Sequence, residues 1–587
     1  MYPVLDPGAE FRDWPSLVAE HARRRPGAPA LTVGERELDY AGLDALADRV
    51  AAALQREGLA EREVVAVCAA SSIEYVALFV GALRAGLALA PLAPSATPAQ
   101  IAAMAADCDA RLVFVDAAVA AALQGQVLAA PLRRLDDAGF RAWLARAGTR
   151  PRPVAIAPDA PFNIIYSSGT TGAPKGIVQP HSMRWAHVRR AAVSGYGSDT
   201  VTLIATPLYS NTTLVVVVPT LAFGGHLVLM PRFDAATYLS LAARVRATHT
   251  MLVPVQYQRL MARPDFGAHD LSSFRFKFCT SAPFSAALKA DVLARWPGAL
   301  VEYYGMTEGG GTCILQAHLF PHKLHTVGQP AEGHDVRLVD EQGREVARGE
   351  VGEVVGRSPA MMSGYHGQPA LTAAAEWRDG EGRRYIRTGD VGRFDEDGFL
   401  VLLDRRKDMV ISGGFNIYPS DLEAVLRRHP AVADCAVVGI ASAEWGETPV
   451  AWVVCAPGAA IAPEALREWA NAQLGRTQRL AGLRYTDELP RSAIGKVLKR
   501  ELREAWGRLG RRGARSRDPP AKDRTSRPAS MKSGLTATAP GARSLSNRAR
   551  DRPGARAAAR RARRAGWPQP PRSRCARRSA PRRAAAR

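Results

Sequence analysis

The stretch YSSGTTGAPKG, Tyr166 to Gly176, crowds Ser167, Ser168, Gly169, Thr170, Thr171 and Gly172 ahead of one cation, Lys175. Small residues let backbone N–H groups converge, hydroxyls add donors, and the ammonium adds a fixed positive charge. That combination suits a chain of phosphates. It is not a Walker A loop, which needs glycine just before its lysine and Ser or Thr just after, where this chain has Pro174 and Gly176. A glycine-rich hairpin or linker without a ligand is the alternative that the loop alone leaves open.

Further along, YYGMTEGG at Tyr303 to Gly310 sets the Thr307 hydroxyl beside Glu308, a hard oxygen ligand, among glycines. Asp390 ends the run YIRTGD, and Arg405 and Lys407 sit in DRRKD. The pair Gly413 and Gly414 lies in ISGGFN, and Lys496 closes the turn SAIGK. Taken singly, Asp390 and Arg405 are ordinary surface charges, and Lys496 is one more lysine on a solvated basic face.

The elements that must position these residues follow from periodicity. Leu43, Leu46, Val50 and Leu54 recur every three to four residues and predict an amphipathic helix, followed by the strand-like run EVVAVCA. SIEYVALFVGALRAG then reads as helix, LALAPLAP as a short apolar run, TPAQIAAMAADCD as a Thr-capped helix and RLVFVD as strand. Such alternation implies parallel sheet covered by helices. Leu214 to Met230 is the most apolar window, but Pro219, Gly224, Gly225 and His226 interrupt it. It predicts a buried helix followed by a strand rather than a membrane span. From residue 404 the texture changes to a compact α+β set: a helix capped by Ser420 or Asp421, then ADCAVVGI, TPVAWVVCA and a helix from Pro463. No internal repeat is present.

The chain of 587 residues, 47% apolar, is too long for one ordinary core, so several domains are expected. Three divisions are expected: residues 1–404, residues 405–506 and a tail, 507–587. The formal net charge of +22 sits entirely in that tail, which holds 25 basic and three acidic residues; the rest of the chain balances 53 against 53. A segment so rich in Arg, Ala, Pro, Ser and Gly cannot bury enough surface to fold, and disorder is the expectation. A basic arm of this kind binds polyphosphate, RNA or anionic membrane without selectivity, and an error of reading frame in the gene is a third account. The remainder carries neither excess positive charge nor a recognised nucleic-acid motif, which argues against a nucleic-acid-binding protein as the primary reading. Seven scattered cysteines, with no C-x-x-C pair, suit a reducing compartment, and the N-terminus lacks the basic start and apolar run of a signal peptide. A cytoplasmic protein is the expectation, and no feature sets its oligomeric state.

Together the five motifs, in this order and covering residues 15–505, resemble the adenylate-forming superfamily of acyl-CoA synthetases, peptide-synthetase adenylation domains and firefly-type luciferases; the motifs are most similar to those of acyl-CoA synthetases. The resemblance implies a large N-terminal domain of helix-covered sheets, a smaller mobile α+β domain, and an ATP-dependent acid:CoA ligase using Mg²⁺. A carboxylate attacks the α-phosphorus of ATP, and a thiol then takes the acyl group. By the same resemblance, residues 167–172 and Lys175 hold the β- and γ-phosphates, Thr307 the α-phosphate and Glu308 the Mg²⁺. Tyr304 lies against adenine, and Asp390 and Arg405 hold the ribose. Lys496 is the adenylation lysine, Lys407 the hinge, and Gly413 and Gly414 line a pantetheine tunnel after the small domain turns.

Tyr209, Ser210, Ser281 and Ala282 fall where the acyl pocket is expected. Two departures stand there: Ser210 occupies the place of a usual histidine, and Thr280 and Ser281 replace a Gly-rich turn. No second cation stands out in those segments, so a fatty or aryl acid is expected. A carrier protein in place of CoA is the main alternative acceptor. The Phe-Asp pair and adjoining carrier domain of an amino-acid-activating enzyme are not seen, and luciferase chemistry is a rare specialisation of the same adenylate.

Overall fold

The computed structural model describes residues 10–136, 138–166, 175–412, 415–442, 445–475, 478–492 and 495–515. The expectations for residues 167–172, for Gly413 and Gly414, and for the tail beyond 515 lie outside these.

The periodic segments fold as their patterns predict. Leu43, Val50 and Leu54 are fully buried on the helix Tyr40–Arg56, whose first turn is capped by Asp39 accepting from the Gly42 N–H at 2.7 Å. Thr97 caps Pro98–Asp107 in a reciprocal box with Gln100. The apolar window resolves into the helix Asn211–Ala222 and the strand His226–Leu229. Pro219 is tolerated inside that helix, and the neighbouring Thr220 hydroxyl donates to the Val216 carbonyl at 2.6 Å. Among the described residues no helix is long and apolar enough to cross a membrane.

The architecture is mixed α/β, with a large N-terminal part and a smaller C-terminal domain. A seven-stranded sheet has a parallel centre, with Val64–Cys68 between Ala88–Pro91 and Ala110–Val115. Toward one edge it carries the antiparallel pair Pro161–Tyr166 and Gly176–Pro180. A nine-stranded sheet carries Phe276–Cys279, Ala299–Met306 and Gly309–Gln316 side by side toward its other edge. The helices His181–Ala191 and Asn211–Ala222 pack on each other, and the second also packs on the nine-stranded sheet. A third sheet, built around Gly352–Arg357 and Arg384–Phe394, brings Leu400–Arg405 against the latter. The small domain is a five-stranded sheet around the long pair Val432–Ser442 and Gly446–Cys455, covered by Pro419–Leu426, Pro463–Asn471 and Lys499–Arg515.

One expectation is corrected. Neither Ser420 nor Asp421 caps the helix Pro419–Leu426, because both lie within its first turn, where Tyr418 is the flanking residue and no side chain of its own caps it. The acceptor comes instead from the strand Leu400–Arg405: Asp404 takes the Ser420 N–H at 2.9 Å, while the Ser420 hydroxyl turns back to the Leu403 carbonyl. Pro419 explains the shift, since it starts the helix one residue early. This ties the start of the small domain to the last strand before it.

The strand Ala299–Met306 is held from behind by a buried ion pair. Lys289 Nζ lies 2.5 Å from Glu302 Oε2, with side chains 2% and 5% exposed, and also donates to the Leu324 and Thr326 carbonyls. Burial raises the Glu302 carboxyl above its usual range and Lys289 opposes the rise. Removing the lysine strands a carboxylate beneath Tyr303 and Tyr304. Lys289→Met is therefore expected to lose about 3–5 kcal/mol, while Lys289→Met/Glu302→Leu recovers most of that loss. Urea unfolding followed by tryptophan fluorescence checks this; equal loss in both variants would contradict it.

Candidate active site

Two strands frame the glycine-rich loop. Tyr166 and Gly176 are register partners, so the chain closes on itself at the ends of the loop, and the Tyr166 hydroxyl is pinned by Asp107 Oδ2 at 2.7 Å. Lys175 stands at the exit, half-buried.

The segment YYGMTEGG forms the end of Ala299–Met306 and a tight turn into Gly309–Gln316. Gly309 is required there: its φ is +84°, and a Cβ would meet the Ala360 carbonyl oxygen at 2.0 Å. The turn is held by Gln179, whose amide donates to the Thr307 carbonyl at 2.6 Å. Glu308 accepts from the Tyr365 hydroxyl at 3.0 Å through Oε1, while Oε2 has no protein hydrogen bond among the described residues. Gln179 and Tyr365 are site residues that sequence reasoning missed, because a lone glutamine at a strand end and a tyrosine in GYHG carry no spacing signal.

Tyr304, Asp390 and Arg405 form one cluster. The Tyr304 hydroxyl donates to Asp390 Oδ2 at 2.9 Å, and Arg405 Nε lies 3.0 Å from Asp390 Oδ1. Register explains this, since Asp390 and Arg405 are direct cross-strand partners. Tyr304 is 9% exposed, and burial pushes its phenol well up.

The small domain delivers Lys496 to the same cluster. Gly495, at φ +76°, bends the chain so closely over the large domain that a Cβ would meet Val255 Cγ1 at 2.9 Å. The turn is closed by Ser492, whose N–H donates to the Lys496 carbonyl at 2.8 Å, and by Arg491, which donates to the Gly495 carbonyl at 2.7 Å. Burial, and then the Arg405 guanidinium, depress the Lys496 ammonium to about 8, with Asp390 opposing and Lys407 adding to the fall. Lys407 itself is exposed, next to Asp408, which pairs with Arg503 of the small domain at 2.9 Å.

The expected acyl-pocket residues also come together. Tyr209 is half-buried and Ser210 is 8% exposed at the head of Asn211–Ala222. The Ser281 hydroxyl lies 2.5 Å from that of Thr212 on the same helix, beside Ala282. Ser281 holds φ +83°, a region that favours glycine, so the turn that usually carries glycine keeps its backbone shape here.

A two-part α/β chain that carries a lysine from its small domain onto Tyr304 and Asp390 of its large one, with Arg405 at the boundary between them, has the construction of an adenylate-forming enzyme. The comparisons agree: residues 18–366 match the model of the AMP-binding enzyme family and residues 421–496 that of the AMP-binding enzyme C-terminal domain. The chain belongs to this family and, with it, to the adenylate-forming superfamily. It is similar to a fatty acid–[acyl-carrier-protein] ligase, ScoC, of Streptomyces coeruleorubidus (33% identity, 84% of this chain and 96% of that protein). It is likewise similar to a feruloyl-CoA synthase of an Amycolatopsis species (34%, 84% and 98%) and to an indoleacetate–CoA ligase of Aromatoleum aromaticum (33%, 85% and 98%). Among solved structures, ATP-bound MatB from Rhodopseudomonas palustris superposes with a TM-score of 0.77 at 28% identity over 85% of this chain and all of that one. The amide bond synthetase McbA from Marinactinospora thermotolerans gives 0.75 at 31% over 84% and 99%.

The strained Ser281 yields a test. Ser281→Gly removes about 1 kcal/mol of backbone strain and is expected to leave the melting temperature equal or higher, even without the Thr212 contact. Ser281→Val, branched at Cβ, is expected to lower it by several degrees. Thermal melts of the three proteins decide, and a Val variant as stable as the Gly variant would contradict the strain.

Proposed function

We propose that the protein is an ATP-dependent carboxylic acid:CoA ligase working through an acyl-adenylate, and that its acid is a fatty or aryl acid. The observation that carries the reading is Lys496, held against Asp390 and Arg405 by a turn with room only for glycine at 495. A carboxylate oxygen attacks the α-phosphorus and pyrophosphate leaves; the thiol sulfur then attacks the acyl carbon and AMP leaves. An ammonium between the carboxylate and the phosphate cancels the repulsion of two anions, which is electrostatic stabilisation rather than base catalysis.

In this reading residues 167–172 and Lys175 cradle the outer phosphates, Thr307 meets the α-phosphate, Tyr304 flanks the adenine, and Asp390 with Arg405 holds the ribose. The Mg²⁺ of this reaction is an ion commonly bound by one carboxylate and substrate phosphates. The free Oε2 of Glu308 fits that part, and the ion would supply charge neutralisation at the phosphates. Residues 1–404 bind ATP and acid, residues 405–506 move about Lys407, and Gly413 and Gly414 line the thiol's path after the movement. Tyr209, Ser210, Ser281 and Ala282 border the acyl group. The six cysteines among the described residues are all free thiols, which suits a cytoplasmic enzyme.

A second reading has a specific support: the ScoC relative is named as a ligase to acyl-carrier protein. There the acceptor thiol belongs to a carrier protein and the first half-reaction is unchanged.

AMP and pyrophosphate release is to be measured over a panel of fatty, aryl and amino acids, with and without CoA. Acid-dependent release accelerated by CoA supports the ligase, and release indifferent to CoA favours the carrier protein. Silence with every acid would sink both. Lys496→Ala is expected to lose 100-fold or more, roughly the scale of removing one charged donor from a transition state. Because Lys496 must be protonated and burial holds it at about 8, kcat/KM for ATP is expected to fall as pH rises through about 8. The residual activity of Lys496→Arg should show no such fall. A wild-type profile flat up to pH 9.5 would contradict the assignment.

A further inference from the structure

The nine-stranded sheet has one face only partly covered just below the reacting end. On Ala299–Met306 and Gly309–Gln316, Tyr303, Gly305, Thr312 and Ile314 keep accessible surface while Glu302, Tyr304, Cys313 and Leu315 between them are buried. Alternation with period two means that the accessible surface belongs to a single face. Tyr303 faces Ile314 in register, and a Cβ on Gly305 would meet Thr312 Oγ1 at 3.3 Å, so the four residues form one wall. On the otherwise buried helix Asn211–Ala222, Asn211 and Val215 keep accessible surface one turn apart, and Asn211 Oδ1 accepts at 3.3 Å from Gln179, the residue that also holds the Thr307 carbonyl. The opening leads away from Thr307, and Tyr303 stands four residues further down the strand, about 13 Å at 3.3 Å per residue.

Arg190 closes the far end. Its guanidinium carbon lies 5.1 Å from the centroid of the Tyr303 ring, and it has no carboxylate or hydrogen-bond acceptor among the described residues. Burial lowers its guanidinium below the usual range, yet the residue keeps some accessible surface. Arg184, on the same helix, shows the contrast: it is 1% exposed and donates to Asn163, Gln179 and His187.

Two imidazoles flank Arg190 within electrostatic range, and both are kept neutral, by burial first and then by that guanidinium. His334 Nδ1 accepts from the Thr312 N–H at 3.0 Å, and His187 Nδ1 faces Arg184 NH1, a donor, at 3.4 Å. Each proton therefore sits on Nε2, leaving each ring an N–H to donate. A buried cation with no anion is costly unless a ligand supplies one.

We propose that Arg190, with the His187 and His334 N–H groups beside it, forms a subsite at the far end of the acyl pocket that selects carboxylic acids bearing a second anionic oxygen at their distal end. This rests on the ligase reading and narrows it: the fatty or aryl acid is one with an acidic far end. Sequence reasoning saw no second cation because Arg190 lies on the helix His181–Ala191, outside the segments expected to border the acid.

The test uses matched acids, octanoic against octanedioic and 3-phenylpropanoic against 3-(4-carboxyphenyl)propanoic, in acid-dependent pyrophosphate exchange and, separately, in calorimetric binding to the ATP-free enzyme. Wild type is expected to prefer the diacid in at least one pair, and Arg190→Met to reduce that preference by about 30-fold or more, the scale of unpairing a buried charge. Arg190→Lys should fall between. His334→Ala, which leaves the guanidinium in place, should reduce the preference less than Arg190→Met. Monoacids preferred in both pairs, or a diacid preference untouched in Arg190→Met of unchanged melting temperature, overturns the subsite. Exchange absent with every acid while Arg190-dependent diacid binding persists sinks the ligase reading and leaves the subsite standing.

Discussion

The site depends on one uncharged side chain, Gln179. Its Nε2 donates to the Thr307 carbonyl, and its Oε1 accepts from Asn163 at 3.0 Å and from Arg184, all in a region where Gln179 and Asn163 have no exposed surface. Three structural parts meet there: the seven-stranded sheet that supplies Asn163 and Gln179, the helix that supplies Arg184, and the turn that carries Thr307 and Glu308. A buried amide with either end unpaired costs about 1–3 kcal/mol. Thr307 is therefore fixed relative to the strand that leads out of the glycine-rich loop, and a phosphate held by one is in reach of the other. Burial depresses Arg184 to about 9 because its partners are neutral.

Charge is arranged oppositely at the interface of the two domains. Arg405, Lys407 and Lys496 gather around Asp390, with Asp408 already committed to Arg503. The surplus is positive, and it adds to burial, the larger cause, in depressing the Lys496 ammonium. In the proposed reaction that surplus meets the phosphates of ATP, and the same like-charge repulsion weakens the docking of the small domain once pyrophosphate has gone. Like charges held close by a turn with no room for a Cβ at Gly495 are a reason for the domain to be mobile rather than fused.

Most of the fold was legible because period and capping acted together. The helix Tyr40–Arg56 and the run around Val64–Cys68 could be read from burial periodicity alone, and Thr97 announced its helix by hydroxyl and spacing. The cap on Pro419–Leu426 was misread for the complementary reason: its acceptor, Asp404, is sixteen residues away, and only tertiary structure brings it there. The Tyr304–Asp390–Arg405 cluster was legible as motifs but not as geometry. Cross-strand register, which decides that Asp390 faces Arg405, is a property of pairing and not of either strand.

What stayed hidden sits on one helix. HSMRWAHVRRA reads as a polar surface helix by the rule that charged residues face water, yet His181, Arg184 and His187 are among the buried residues of the chain. The rule fails because this helix lies between the seven-stranded sheet and the helix Asn211–Ala222 and has apolar neighbours where a surface helix has solvent. Its polar groups must then find partners inside. Arg184 finds the amides of Asn163 and Gln179 and becomes structural. Arg190, at the other end, finds among the described residues only the face of Tyr303. Arg184 and Arg190, two of the three arginines on this helix, share a burial problem that the described residues solve with acceptors for the first and not for the second. The difference between them locates the part of the pocket where a ligand's own charge completes the structure.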